Sequence, residues 1–148
     1  MLTVRTYLGP SAINGIGLFA AEPISAGSVV WIRHKLDIAI SDADLADLPA
    51  PALHQVAHHT YRDIVTGERI LCGDNARFMN HSDDPNTGQL NPDVEIALRD
   101  IEVGEELTCN YRTFDADSVN FLPFTPEGEL VAPPGIEIVY TDKNEAVG

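Results

Sequence analysis

Turn-forming residues cut this chain into short segments, and their spacing is what most limits the fold. Gly15-Ile16-Gly17, the stretch from Pro23 to Gly27, Thr66-Gly67 and Val103-Gly104 each read as a turn. The pieces between them are short and rich in β-branched or apolar residues. They predict strands over residues 2–6, 28–32, 36–40, 61–65, 69–72, 94–98 and 106–109, with residues 18–21 a small apolar run. Helical signals are fewer. Ser41 followed by Asp44 forms a capping-box-like start, with an acid where Glu or Gln is usual, for a helix over 42–48. Pro51 opens a second helix reaching about His58, and residues 75–79 suit a single helical turn. Residues 80–89 carry Asp, Asn, Pro and Gly and read as loop. The expected fold class is mainly β with a few short helices.

At 148 residues the chain fits one domain better than two. We expect that domain over residues 1–124, with 125–148 an acidic C-terminal tail or loop extension of it. From Thr113 onward there are seven acids and one base, Lys143. Nine Lys and Arg against 23 Asp and Glu give a formal charge of −14. That charge repels phosphate backbones and argues against direct nucleic-acid binding, and it favours basic protein partners; the same acidity also serves solubility alone. Residues 1–10 lack the basic start and apolar stretch of a secretory signal, and no run approaches a membrane span of about 20 apolar residues. Cys72 and Cys109 form neither a CxxC pair nor a ligand cluster, so the reading is a reducing, intracellular setting without a metal site. Nothing in the sequence sets the oligomeric state.

Taken singly, the motifs say little. Gly15 to Ala20 fits GxGxxA, and Asp37 lies at a suitable distance for a dinucleotide fold. Turn and strand signals follow where that fold needs a helix, so a tight glycine turn is the better reading. Glycines there also let backbone approach a ligand. Asn80-His81-Ser82 is formally a glycosylation sequon, but no secretory signal accompanies it. His81 with Asp83 and Asp84 matches no metal-ligand spacing, and His54 with His58 at i, i+4 supplies only two ligands.

Three segments together change the reading. They are Asn14-Gly15-Ile16-Gly17-Leu18-Phe19-Ala20, then Asn75-Ala76-Arg77-Phe78-Met79-Asn80-His81-Ser82 with Pro85-Asn86, then Gly104-Glu105-Glu106-Leu107-Thr108-Cys109-Asn110-Tyr111. In this order and spacing they resemble the SET-domain family of protein-lysine methyltransferases, over roughly residues 3–112. The resemblance implies a SET-type β fold of small sheets around a pseudoknot, with Asn80-His81-Ser82 passing near Tyr111. It implies S-adenosylmethionine as methyl donor, S-adenosylhomocysteine as product, and a basic protein or peptide as substrate.

Site residues carry over where the motifs match. By the resemblance, backbone at Ile16, Gly17 and Phe19 approaches the donor. Asn80 bonds the donor's amino group, His81 backbone bonds the adenine, and Arg77 falls in the donor-side segment. Tyr111 matches the catalytic tyrosine. Tyr61 stands where an aromatic walls the lysine channel, and the 42–58 region is the variable insert that helps hold substrate. Cys109 sits where relatives carry a Phe or Tyr that sets the number of methyls added; its smaller side chain hints at higher methylation states. Asp83 stands where many relatives have Cys, and Asn110 where Asp is usual. The Cys-rich zinc segment of many relatives is absent, so no zinc is expected, and Phe114, Phe121 and Phe124 either close the channel or only pack the core. Trp31 has no expected role beyond packing. The alternative to an enzyme is a degenerate SET fold that binds a peptide or cofactor without turnover, favoured by Asp83, Cys109 and Asn110.

Overall fold

A computed structural model of the protein describes residues 1–118. Phe121, Phe124 and the acidic tail expected over 125–148 lie outside the described residues, as does the boundary expected at 124.

Ten short strands and two short helices make up the described fold. Strand β1 (Thr6–Pro10) and strand β2 (Ile16–Ala20) form an antiparallel hairpin. Its turn closes because Ser11 N–H donates to the Gly15 carbonyl while Ser11 Oγ accepts from Ile13 N–H, and Gly15 takes a positive φ of 49°. Along β2 the side chains alternate. Leu18 and Ala20 enter the core with no exposure, while Phe19 faces the other way and stacks on Tyr7 at 5.5 Å.

Strand β3 (Val29–Ile32) leads to strand β4 (Ile38–Ile40) and the two helices. Helix α1 (Asp42–Ala46) begins with the expected reciprocal box. Ser41 Oγ accepts from Asp44 N–H, and the Asp44 carboxylate accepts from Ser41 N–H. Helix α2 (Ala50–His59) has Pro51 in its first turn and no side-chain cap at Pro49. Neither helix buries a residue, so both lie on the outside of the fold.

Strand β5 (Thr60–Arg62) pairs with strand β6 (Arg69–Leu71), which also pairs with β4. Their connection is fixed by Asp63, whose carboxylate accepts from Val65 and Thr66 N–H, and by Gly67 at φ 72°. A 3₁₀ turn, Asn75–Phe78, is capped by Asp74 and runs into strand β7 (Asn80–His81). Strands β8 (Thr87–Asn91), β9 (Val94–Ala97) and β10 (Glu106–Cys109) follow.

The strands assemble into three sheets, ordered β1-β2-β10-β7, β3-β9-β8 and β4-β6-β5. Strand β10 lies between β2, to which it is antiparallel, and β7, to which it is parallel. The core gathers Leu18, Val30, Met79, Ala97, Ile101 and Leu107, and Tyr111 and Phe114 pack against its edge. The expected mainly β architecture of small sheets is what the chain adopts, and residues 80–82 do lie against the Tyr111 segment.

Two expectations need correction. Residues 80–89 are not all loop, because they contain β7 and the start of β8. The first strand is Thr6–Pro10 rather than 2–6; Leu2 makes only an isolated bridge to Trp31. Strand β1 is an edge strand, where Gly9 and Pro10 are tolerated.

Candidate active site

The site is built where β10 changes partners. Its pairing with β2 stops at Leu107–Leu18, and from Thr108 onward it pairs with β7 instead. Ile16 and Gly17 are thereby left without partners on β10. Asn80 fills the gap from β7, with its Nδ2 within 3.1 Å of the Asn14 carbonyl, 3.3 Å of the Ile16 carbonyl and 2.8 Å of Glu106 Oε1. Glu106 accepts as well from Ser11 Oγ at 2.9 Å. A Cβ at position 17 would collide with this carboxylate, so the close approach requires glycine there. These bonds spend the Asn80 amide hydrogens, and among the described residues its carbonyl oxygen has no donor. Glu106 is the member of this cluster that motif reasoning missed. Its signal was its place in Gly104-Glu105-Glu106, but only the fold brings it to Gly17 and Asn80.

Beyond β10 the chain enters a 3₁₀ turn, Tyr111–Thr113, capped by Asn110, whose Oδ1 accepts from Arg112 N–H. Tyr111 is held at three points. Its hydroxyl donates to the Met79 carbonyl at 2.6 Å, its N–H donates to His81 Nδ1 at 3.2 Å, and its ring lies 5.3 Å from the His81 ring. Because Nδ1 accepts, the proton of a neutral imidazole sits on Nε2, which faces Asp83 Oδ1 at 3.2 Å. The same Asp83 oxygen pairs with Arg112 at 3.0 Å. Asp83, which departs from the family's Cys, thus ties His81 to the residue after Tyr111.

Tyr111 borders an open pocket of about 690 Å³, counting its solvent-filled mouth. Tyr61, Cys109 and Phe114 line it with Tyr111. Phe114 stands edge-on to Tyr61 at 5.1 Å and to Tyr111 at 6.0 Å, so it closes one side of the pocket. Trp31, expected only to pack, also lines the pocket, and its buried indole N–H has no acceptor among the described residues. Arg77 lies at the pocket together with His58 and His59 of α2, its guanidinium 5.3 Å from the Phe78 ring centre. The pocket therefore gathers Tyr61, Arg77, Cys109 and Tyr111. Ile16, Gly17, Phe19, Asn80 and His81 belong instead to the β2–β7 side of the same strand junction.

Burial governs the titration of the pocket. It raises the Tyr61 and Tyr111 phenols well above their ordinary value, so both remain neutral hydroxyls in the physiological range. The Cys72 thiol is pushed up to about 12 and the Cys109 thiol well above its usual value, again chiefly by burial. Neither cysteine is disulfide-bonded. Burial raises the Glu95 carboxyl to about 7, against the opposing hydrogen bond from Thr87.

The arrangement suits transfer of a methyl cation equivalent to an amine. An aromatic pocket strips water from an ammonium and lowers its pKa, and fixed hydroxyl and carbonyl groups orient the free amine. On the junction side, Ile16 and Gly17 have no partner on β10, and the Glu106 carboxylate is engaged by Ser11 and Asn80. Among the described residues no group of three or more His, Cys, Asp or Glu could hold a metal ion, and no helix is long and apolar enough to cross a membrane.

Comparison with known proteins agrees with this geometry. The SET domain family profile matches residues 15–112. Histone-lysine N-methyltransferase ATX2 of Arabidopsis thaliana is 32% identical over 126 residues, a match covering 76% of this chain and 11% of that protein. The chain thus spans about a tenth of the length of that relative. Two solved structures share the fold. A candidate histone methyltransferase of Plasmodium falciparum superposes with a TM-score of 0.53 at 21% identity, covering 74% of this chain and 95% of its own. An inhibitor-bound, humanized mutant Polycomb Repressive Complex 2 of Chaetomium thermophilum superposes with a TM-score of 0.54 at 21% identity, covering 88% of this chain and 19% of its own. With the family profile spanning more than half of its length, the chain belongs to the SET domain family.

Proposed function

We propose that the protein is a lysine N-methyltransferase that uses S-adenosylmethionine and acts on a basic protein. The observation that carries this reading is the position of Tyr111, whose hydroxyl is fixed on the Met79 carbonyl at the border of an aromatic pocket, one strand junction away from the free edge at Ile16–Gly17. S-adenosylmethionine would supply an electrophilic methyl carbon on a cationic sulfur.

The chain's own residues would do the rest. Ile16 and Gly17 offer backbone to the donor, whereas Phe19 is paired within the sheet with Tyr7 and Glu106, and the carbonyl oxygen of Asn80 accepts from the donor's amino group. Glu106 holds the Asn80 amide so that this oxygen faces outward. His81 fixes the Tyr111 main chain and presents its own backbone to the donor. Tyr61, Tyr111 and Phe114 surround the lysine stem and exclude water, and the Tyr111 oxygen orients the amine nitrogen. Cys109 leaves space beside that nitrogen. A net charge of −14 attracts cationic substrate segments. Two unpaired thiols suit a reducing, intracellular compartment.

Calorimetric titration with S-adenosylmethionine tests the cofactor half of the reading. The folded wild-type protein, freed of carried-over ligand, is expected to bind saturably, and Asn80→Ala to bind at least tenfold more weakly. No binding at millimolar donor, with or without core histones present, overturns the assignment and favours a ligand-free or peptide-binding role.

A further inference from the structure

One wall of the pocket belongs to none of the three motifs. In the β3-β9-β8 sheet Trp31 stands directly opposite Glu95, and Glu95 directly opposite Gln89. Cross-strand partners project to the same face, so the three side chains form one row, and all three line the pocket. Tyr61, Tyr111, Cys72 and Cys109 line the same pocket.

Glu95 is poorly provided for in this position. Among the described residues its one hydrogen-bond partner is the Thr87 hydroxyl at 2.5 Å. That hydroxyl also lies 2.9 Å from the Thr108 carbonyl and has a single proton to give. Among the described residues no ion pair includes Glu95. A buried carboxylate with no ion-pair partner is unfavourable when ionised. Arg77 also lines the pocket but is not paired with Glu95, so a cation arriving beside Glu95 supplies the missing partner.

We propose that Glu95 receives the substrate's alkylammonium in this pocket and accepts its proton, so that the amine meets Tyr111 in the neutral form. This rests on the methyltransferase reading. In the step an ammonium N–H bond breaks, its electron pair stays on nitrogen, and the proton forms an O–H bond with the Glu95 carboxylate. The resulting acid can donate to Thr87 Oγ, which frees the Thr87 proton for the Thr108 carbonyl. When product leaves, Glu95 returns the proton to water at the pocket mouth.

Other groups titrate nearby and must be separated from it. Strand β9 carries no second titratable residue beside Glu95. The phenols of Tyr61 and Tyr111 and the thiols of Cys72 and Cys109 stay protonated through neutral pH. His58, His59, Arg77 and Asp115 complete the lining. Burial, then His58 and Arg77, hold His59 below its ordinary value, and Asp115 is occupied by Arg62 N–H and the Ser118 hydroxyl.

The isosteric Glu95→Gln variant makes the separation. With core histones as probe substrate, wild-type kcat/KM is expected to rise through pH about 7. Glu95→Gln is expected to lose that limb and about 10²-fold in rate at neutral pH, with donor affinity unchanged by calorimetry. Glu95→Asp is expected to keep the limb. Identical wild-type and Glu95→Gln profiles overturn the inference.

A readout without turnover uses carboxyl-labelled glutamate and ¹³C NMR, with n-butylammonium as probe. The Glu95 resonance, assigned by its absence in Glu95→Gln, should titrate at least about one pH unit lower when the probe saturates. An unmoved titration overturns the inference whatever the activity. A protein that shows this shift yet methylates nothing overturns the methyltransferase reading, and the proton-transfer step with it.

Discussion

Tyr111 shows how much positioning one side chain requires. Its hydroxyl, main-chain N–H and ring are each fixed by a different group of the 79–81 segment. On the proposed reading, Tyr111→Phe removes only the oxygen that would orient the amine. Loss of one preorganised polar group in an active site typically costs about 10²–10³ in rate. We expect single-turnover methyl transfer to fall by about that factor while donor affinity stays within twofold. The Met79 carbonyl would lose a donor, so stability should fall by about 1 kcal/mol in urea unfolding. Glu95 acts on stability in the opposite sense. Its folded carboxyl titrates at about 7 against an ordinary value of 4.5. The folded state therefore holds the proton more tightly than the unfolded chain, and stability is full below pH about 4.5 and declines as pH rises through about 7. At about 1.4 kcal/mol per unit the decline is about 3 kcal/mol. Urea midpoints at pH 5 and 8 should show it, and Glu95→Gln should remove most of the difference. A wild-type midpoint that does not fall between those pH values contradicts the argument.

At the scale of elements, Asn86 bridges β10 and the start of β8 through its side-chain amide. Asn86 is 2% exposed, its Nδ2 donates to the Glu106 carbonyl at 2.7 Å, and its Oδ1 accepts from Thr108 N–H at 2.8 Å. It completes the edge of β10 at the point where that strand leaves β2. Asn86→Ala would leave two buried backbone groups unpaired, at about 1–3 kcal/mol each before relaxation. We expect a loss of about 2–4 kcal/mol on urea unfolding, and faster hydrogen exchange at Thr108 than at Leu18. Equal protection of the two amides would show that the junction holds without Asn86. Strand β10 itself was legible in the sequence to the residue, because Gly104 marks its turn and its residues suit a strand. The Ser41–Asp44 box and the β5–β6 hairpin were legible for the same reason, each being a local signal. Strand β7 was not. It is two residues long, followed by Asp83, Asp84 and Pro85, and exists because β10 pairs with it across 28 positions. The Tyr61, Cys109 and Tyr111 side of the pocket was legible through motifs. The Trp31–Glu95–Gln89 row was not, because strand register alone aligns those three residues.

The whole molecule adds a field to this local geometry. With 23 acids against nine Lys and Arg, the chain attracts any Lys/Arg-rich segment from beyond contact range. Seven of the acids follow Thr113, and six more lie from Asp93 to Glu106. In the proposed reaction such a field would act on encounter rather than on chemistry, since the methyl would be transferred only after the substrate amine is desolvated in the pocket. Its reach is set by the Debye length, about 30 Å at 0.01 M salt and about 8 Å at 0.15 M. Across that range kcat/KM for core histones should fall by about tenfold, the lower end of the usual steering effect. The kcat at saturating substrate should change less than twofold, because the pocket interior is screened much less than the surface. A neutral substrate peptide bearing a single lysine should lose far less kcat/KM over the same salt series. If both substrates weaken equally, the acidic surface has no steering role and its effect is confined to solubility. If kcat falls together with kcat/KM, the salt-sensitive charges lie inside the pocket, and Glu95 becomes the first residue to test.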